Sequence, residues 1–348
     1  MTRGKDLVSP RTAAMQGYVP GEQPSDARLV KLNTNENPYA CSPLVAEAIQ
    51  AEARRLHLYP SPCADALRRK AAQIYGVRED QVLVGNGSDE LLSILVRACT
   101  QPGDAVAYPV PTYSLYRTLA EAAGARTIEL PWQGQALPAS LAEADARLTF
   151  LCSPNSPTGL ALPLDEIAAF TRQARGVVVV DEAYVDFGDA TALSILQQHP
   201  NMMVLRTFSK SFSLAGLRLG LGFAHAELVE ELVKIKDSYN VSRLAIAAGV
   251  AALEDYDWMR SNVARVRATR ARVTARLRAA GYGVRDSSAN FLWIDCSAHG
   301  GGKAIYERLR QASVLVRFFD QEGLREGIRI SIGTDDQMDR ALSVLAAA

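Results

Sequence analysis

Four consecutive valines, Val177 to Val180, end in a carboxylate, Asp181. A β-branched run of this kind reads as a strand buried on both faces of a sheet. A second apolar run, Met203-Val204-Leu205, leads to Ser209-Lys210-Ser211. A small-residue segment follows, Leu214-Ala215-Gly216-Leu217-Arg218-Leu219-Gly220. Upstream, short apolar runs predict strands at 81–84, 105–108, 126–130 and 148–152. Periods near 3.6 predict helices at 43–56, 64–75, from the 85–89 turn to about 98, from 109–116 to about 123, and at 163–175. Strands alternating with helices predict an α/β fold, with a mostly parallel central sheet flanked by helices. After residue 222 the pattern changes. A helix at 226–237 and a break at 238–242 precede a long helical stretch. Strands at 291–294, 314–316 and 327–331 then alternate with helices at 302–311 and 335–347, which reads as a smaller α+β domain. Residues 1–30 carry three prolines and no period, so they read as an extended arm rather than a packed helix. The expected division is an arm at 1–40, a large domain at 41–240 and a small domain at 241–348.

Composition narrows the function classes. With 348 residues, 48% of them hydrophobic, the chain can bury a core for two such regions. The formal net charge is zero, which gives no global electrostatic case for nucleic acid or an anionic membrane. One segment, 263–277, carries five arginines. Its valines fall on one face, so it reads as a solvated helix face. The N-terminus lacks the apolar centre of a signal peptide, and no apolar run approaches a bilayer span. Five scattered cysteines without a CxxC pair fit reduced thiols in a cytoplasm. Cys152 and Cys296 read as buried apolar residues. The four isolated histidines argue against a metal cluster.

In an open α/β sheet, ligands bind beyond the carboxyl ends of the strands. The loops expected there carry the 85–89 turn, Tyr113, Asn155, Asp181 to Tyr184, and Ser209 to Ser211. Ser88 reads as a helix N-cap, and the strand–glycine–helix order presents backbone N–H groups to a phosphate. The turn is not GxGxxG, so a dinucleotide fold is not supported. An acid at one strand end and a lysine past the next suit pyridoxal 5'-phosphate. That cofactor needs an imine-forming lysine, a carboxylate at its ring nitrogen, phosphate ligands and a flat neighbour for its ring. Lys210, Asp181, Ser88 and Asp89 with Ser209 and Arg218, and Tyr113 can fill those parts.

The segment Ser209-Lys210-Ser211-Phe212-Ser213-Leu214-Ala215-Gly216-Leu217-Arg218 resembles the lysine motif of the fold-type I, class I/II aminotransferases. Six further segments resemble, in order, landmarks of the histidinol-phosphate aminotransferases: Leu32 to Pro38, Gly85 to Glu90, Pro111 to Tyr113, Ser153 to Gly159, Asp181 to Tyr184, and Ala289 to Phe291. Arg329 to Thr334 completes the set. The resemblance implies the transferase fold of type I. It implies Lys210 as the base that moves the substrate proton and Asp181 at the ring nitrogen. Tyr184 and Asn155 would bond the ring oxygen. Arg218, Ser209, Ser211 and the Ser88–Asp89 turn would hold the cofactor phosphate, and Tyr113 would stack on the ring. Tyr59 would reach a neighbouring subunit's phosphate, which implies a homodimer. Arg329 would grip a substrate carboxylate, while Arg317, Tyr18 and Asn37 would help bind the substrate. Two departures from the family pattern are Ser156, where Asn is commoner, and Ser211-Phe212-Ser213, where Ala-Phe-Gly is common. The implied activity moves an amino group between glutamate and a keto substrate, foremost imidazole-acetol phosphate. Aromatic amino acids, or a threonine-phosphate decarboxylase chemistry, are the alternatives on this scaffold. A DNA-binding regulator built on it would need a helical domain ahead of Leu32, for which there is no room.

Overall fold

The valine run is the centre of a seven-stranded sheet. The structure, a computed structural model, describes residues 4–346 apart from Ala27 and Gln135. In chain order its first elements are α1 (Pro10–Ala14), β1 (Val30–Lys31), α2 (Pro43–Ala53), α3 (Asp65–Tyr75), β2 (Val82–Gly85) and α4 (Ser88–Cys99). Then come β3 (Ala105–Val110), α5 (Leu115–Ala123), β4 (Arg126–Pro131), β5 (Leu148–Cys152), α6 (Leu164–Gln173), β6 (Val177–Asp181), β7 (Met202–Thr207) and β8 (Gly220–Ala224). The strand order is β2-β8-β7-β6-β5-β3-β4. The pairs from β4 through β7 are parallel, and β8 runs antiparallel to both β7 and β2. Side chains alternate across β6 as the pleat requires. Val178 and Val180 join one apolar cluster with Ile167, Phe170 and Val204. Val179 joins another with Leu91, Ile94 and Leu205. The fold class matches the expectation of an α/β, mostly parallel sheet between helices.

The remaining elements are α7 (Ala226–Val233), α8 (Arg243–Glu254), α9 (Tyr256–Ala279), β9 (Gly283–Val284), β10 (Phe291–Asp295), α10 (Gly302–Gln311), β11 (Val314–Leu315), β12 (Arg317–Phe318), β13 (Gly327–Ser331) and α11 (Asp335–Ala346). Strands β12-β13-β10-β9 make an antiparallel sheet, and β1 pairs in parallel with β11. That pairing brings the segment after the N-terminal arm onto the C-terminal region. Helix α8 packs against α2 and α3, so contacts run across residue 240.

Four local readings change. Residues 10–14 form a short helix rather than extended chain; Ser9 caps it by accepting from the Thr12 N–H. The cap of α4 is Gly87, not Ser88, because the chain enters the helix at φ +83°. The helix expected over 226–237 stops at Val233. Strand β8 escaped the sequence pattern because its two glycines dilute the apolar, β-branched signal. On α9, Val263, Val266, Val273 and Leu277 are buried. Of its arginines, Arg272 pairs with Asp335 and Asp339, Arg276 with Asp339 and Arg267 with Asp189, and Arg265 lies over the Tyr39 ring. Arg270 departs from the expected solvated face and donates inward to the Phe187 and Ala289 carbonyls at 3.1 and 2.6 Å. Cys152 and Cys296 are buried, and burial pushes each thiol up to about 12. Among the described residues no helix is long and apolar enough to cross a membrane.

Candidate active site

A cavity of ≈ 450 Å³ opens where the strand ends converge. Ser88, Asp89, Tyr113, Asp181, Tyr184, Ser209, Lys210, Arg218, Tyr18, Arg317 and Arg329 all line it. Eleven of the residues picked from the sequence therefore meet in one place, although they span the chain.

Asp181 closes β6 and is 3% exposed. Its Oδ2 accepts the Tyr116 hydroxyl at 2.7 Å, and its Oδ1 accepts the Ala183 N–H at 3.2 Å. Burial raises its pKa to about 6, against the lowering effect of those two donors. Tyr116 is fixed from behind by stacking on Phe150, centroids 4.5 Å apart. Lys210 follows β7, and its Nζ donates to the Thr34 carbonyl at 3.3 Å. Burial first, then the nearby Arg329 charge, lowers its pKa to about 8. A base near pH 8 holds a substantial neutral fraction under ordinary conditions, which an unperturbed lysine does not. The Tyr184 hydroxyl accepts from Asn35 Nδ2 at 3.0 Å, and its ring lies 5.6 Å from Lys210 Nζ.

The N-terminus of α4 faces Arg218. The guanidinium donates to Ser209 Oγ at 3.2 Å and to Asp89 Oδ2 at 3.0 Å. Gly87 makes this close approach feasible, since a Cβ there would come within 2.7 Å of Arg218 Nη2. Gly220 does the same from β8, where a Cβ would meet the Ser88 nitrogen at 2.5 Å. Helix N–H groups, a guanidinium and a serine hydroxyl make an anion cradle. Tyr113 stands beside it, its hydroxyl donating to Asp89 Oδ1 at 3.2 Å.

The opposite end of the cavity is built on the small sheet. Arg317 and Arg329 sit directly across from each other on β12 and β13. Arg329 donates to Ser156 Oγ at 2.9 Å and to the Asn33 carbonyl at 3.1 Å. Its Nε is buried without a partner. Arg317 donates to the carbonyls of Val19 and Pro20 on the N-terminal arm, at 2.9 and 3.1 Å. Neither has a carboxylate partner among the described residues. Tyr18, next on the arm, packs edge-on against Tyr113.

Four expected site residues lie elsewhere. Ser211 turns away from the cradle and donates to Asp186 Oδ2, because Asp186 is itself drawn into the buried Arg206–Glu182 cluster. Asn37 does not line the cavity; its Nδ2 donates to the Lys210 and Ser211 carbonyls and fixes the lysine loop. Asn155 is 1% exposed and outside the cavity lining. Its Nδ2 bonds Pro111 O and Thr158 Oγ1, and its Oδ1 accepts from Thr112 Oγ1. Tyr59 is 77% exposed and stacks on Tyr239, outside the lining of its own chain's cavity. The sequence reading assigned no role to Tyr116, Asn35, Asn33 or Phe319, although Asn33 and Asn35 lie in the Leu32–Pro38 motif. Tyr116 had a further signal, as a second tyrosine three residues after Tyr113.

The family profile described as Aminotransferase class I and II matches residues 27–345. This chain belongs to that family. Histidinol-phosphate aminotransferase 1 of Trichormus variabilis is 44% identical to this aminotransferase over 93% of each chain. The histidinol-phosphate aminotransferase of Geobacter sp. is 44% identical over 96% of each. The structure of histidinol-phosphate aminotransferase from Sinorhizobium meliloti, in complex with pyridoxal-5'-phosphate, matches with a TM-score of 0.84 at 26% identity, over 91% of this chain and 90% of that one. A Thermus thermophilus aspartate aminotransferase variant shares the fold, with a TM-score of 0.84 at 22% identity. The family reading and the fold type expected from the sequence both hold. The donor set fits the family's cofactor: a buried acid, a lysine of lowered pKa, an aromatic wall and an anion cradle share one cavity.

Proposed function

We propose that this aminotransferase moves an amino group between glutamate and imidazole-acetol phosphate, with histidinol phosphate as the amine of the reverse direction. The observation that carries the reading is the pair of guanidiniums without carboxylates, Arg317 and Arg329, in the same cavity as Lys210 and Asp181. Two compact anions, a substrate phosphate and a dicarboxylate, must be gripped in turn, and a guanidinium fork suits both. The 44% identity to full-length histidinol-phosphate aminotransferases supports it.

Pyridoxal 5'-phosphate, when bound, supplies a ring that accepts the electron pair left at the substrate Cα. Asp181, ionised above its pKa of about 6, holds a proton on the ring nitrogen. Arg218, Ser209 and the first N–H groups of α4 would hold the cofactor phosphate, and Tyr113 would flank its ring. Lys210 takes the proton from the substrate Cα through its Nζ. Tyr184 orients the ring oxygen. Arg329 binds the substrate carboxylate or phosphate, and Arg317 with Tyr18 carries the arm over it.

The enzyme acts as a homodimer in the cytoplasm on this reading. Exposed Leu56, Leu58, Tyr59 and Tyr239 form the face that supports a partner subunit. Arg243 fixes Tyr59 by donating to its carbonyl at 2.8 Å. Five free cysteines fit a reducing compartment. The deciding experiment compares histidinol phosphate with phenylalanine as amino donor to 2-oxoglutarate. Turnover of histidinol phosphate at the higher kcat/KM is expected. Turnover of phenylalanine alone overturns the substrate assignment.

A further inference from the structure

Arg317 and Arg329 pose a problem that the family reading leaves open. They are register partners on adjacent antiparallel strands, so both side chains leave the sheet on one face. Like charges directly opposite each other repel, and neither guanidinium has a carboxylate partner among the described residues. Their hydrogen-bond partners lie on other segments, and the two guanidiniums share none of them.

What they share is Phe319. It lies two residues beyond Arg317, and its ring centre is 5.3 Å from the Arg317 Cζ and 5.5 Å from the Arg329 Cζ. Both distances fall within the range in which the negative face of an aromatic ring attracts a cation. The ring is backed by Trp293, the register partner of Arg329 on β10, at 6.2 Å between centroids. Phe319 also lines the cavity. A phenyl group attracts both guanidiniums while taking up none of their N–H donors. A carboxylate in its place would neutralise them, and an aliphatic residue would remove the ring that both share, leaving Arg329 the Phe291 ring at 5.3 Å.

The geometry points to Phe319 as a specificity-determining positioning residue: it holds Arg317 and Arg329 together as a two-cation seat for a dianion. The inference rests on the substrate proposed above. A phosphate dianion presents both charges to the pair at one point, whereas the two charges of glutamate sit on separate carboxylates at opposite ends of the molecule. Loss of the ring therefore weakens the phosphate substrate selectively.

The test uses the holoenzyme, whose cofactor occupies the Arg218 cradle, with Phe319→Leu and Phe319→Tyr. Inorganic phosphate is titrated against tryptophan fluorescence, and kcat/KM is measured for histidinol phosphate and for glutamate. In Phe319→Leu, phosphate affinity and kcat/KM for histidinol phosphate fall about tenfold, and kcat/KM for glutamate about twofold or less. Phe319→Tyr restores the phosphate-selective part. Phosphate affinity unchanged within about twofold in Phe319→Leu overturns the inference, as does equal loss with both substrates or failure of Phe319→Tyr to rescue. Wild-type enzyme that binds phosphate but does not use histidinol phosphate overturns the substrate assignment alone, and the phosphate titration still decides the role of Phe319.

Discussion

The two ends of the cavity treat charge in opposite ways. At the strand-end side, Arg218 faces Asp89 at 3.0 Å, and Arg206, just behind, meets Glu182 and Asp186 at 3.3 and 2.9 Å. Cations there are answered by carboxylates from the same layer of the fold. At the small-sheet side, Arg317 and Arg329 are held by carbonyls, a hydroxyl and aromatic faces. Neutral acceptors hold a guanidinium in place without cancelling its charge, so that end keeps its field for a ligand that comes and goes. The ends are not independent: after burial, the Arg329 charge is the largest cause of the lowered Lys210 pKa. The seat for the substrate anion thus helps keep the base neutral.

Removing the base gives the largest effect. Lys210→Ala should lower kcat by about 10⁴-fold or more, since the variant lacks both the nucleophile and the proton carrier. Residual transamination above about 1% of wild type would remove Lys210 from its role. Next is Asp181→Asn, where function and stability move in opposite directions. A carboxyl raised from 3.8 to about 6 is favoured by the fold in its protonated form, and that contribution disappears as pH rises through 6. Keeping it ionised at pH 7.5 costs the unliganded protein roughly 3 kcal/mol. The variant should lose about 10²-fold or more in kcat, while the Tm of the cofactor-free protein rises by a few degrees at pH 7.5. A fall in Tm would show that Asp181 is there for packing.

This contrast also explains what could be read from the sequence. Asp181 and Lys210 follow the legible apolar runs of β6 and β7, so their convergence follows from strand order, whereas Arg218 precedes β8, which the pattern missed, and came from the lysine motif. Ser211 and Asn37 misled because their residue types suit a site, while their direction is set by Asp186 and by the lysine-loop carbonyls. Arg317 and Arg329 were found only through resemblance. Their meeting depends on the β12–β13 register, which two strands of unequal length do not announce. Phe319 carried no signal, for an aromatic residue after a strand is most often core. The same contrast yields the third prediction. Arg317→Gln should lower kcat/KM for the phosphate substrate by about 10²-fold, mainly through KM, and for glutamate by about fivefold or less. Equal losses would mean that Arg317 serves only to fasten the arm at Val19 and Pro20.

The smallest effect tests the strand-end side by subtraction of one proton donor. Tyr116→Phe keeps the ring that stacks on Phe150 and deletes the hydroxyl that donates to Asp181 Oδ2. A donor to the ionised carboxylate favours the charged form, so its loss moves the Asp181 pKa upward from about 6. One net hydrogen bond of about 1 kcal/mol corresponds to roughly 0.7 of a pH unit. Pyridoxal phosphate binding to the cofactor-free protein needs the carboxylate ionised, so the acidic limb of its affinity against pH should move up by about that amount. At pH 8.5, where Asp181 is ionised in both proteins, affinity and kcat should agree within about threefold. An unmoved limb would show that Ala183 and the surrounding burial set the Asp181 pKa without help from Tyr116. A loss of equal size at every pH would assign Tyr116 to packing, and the charge balance of this end would then rest on its ion pairs, Arg218 with Asp89 and Arg206 with Glu182 and Asp186.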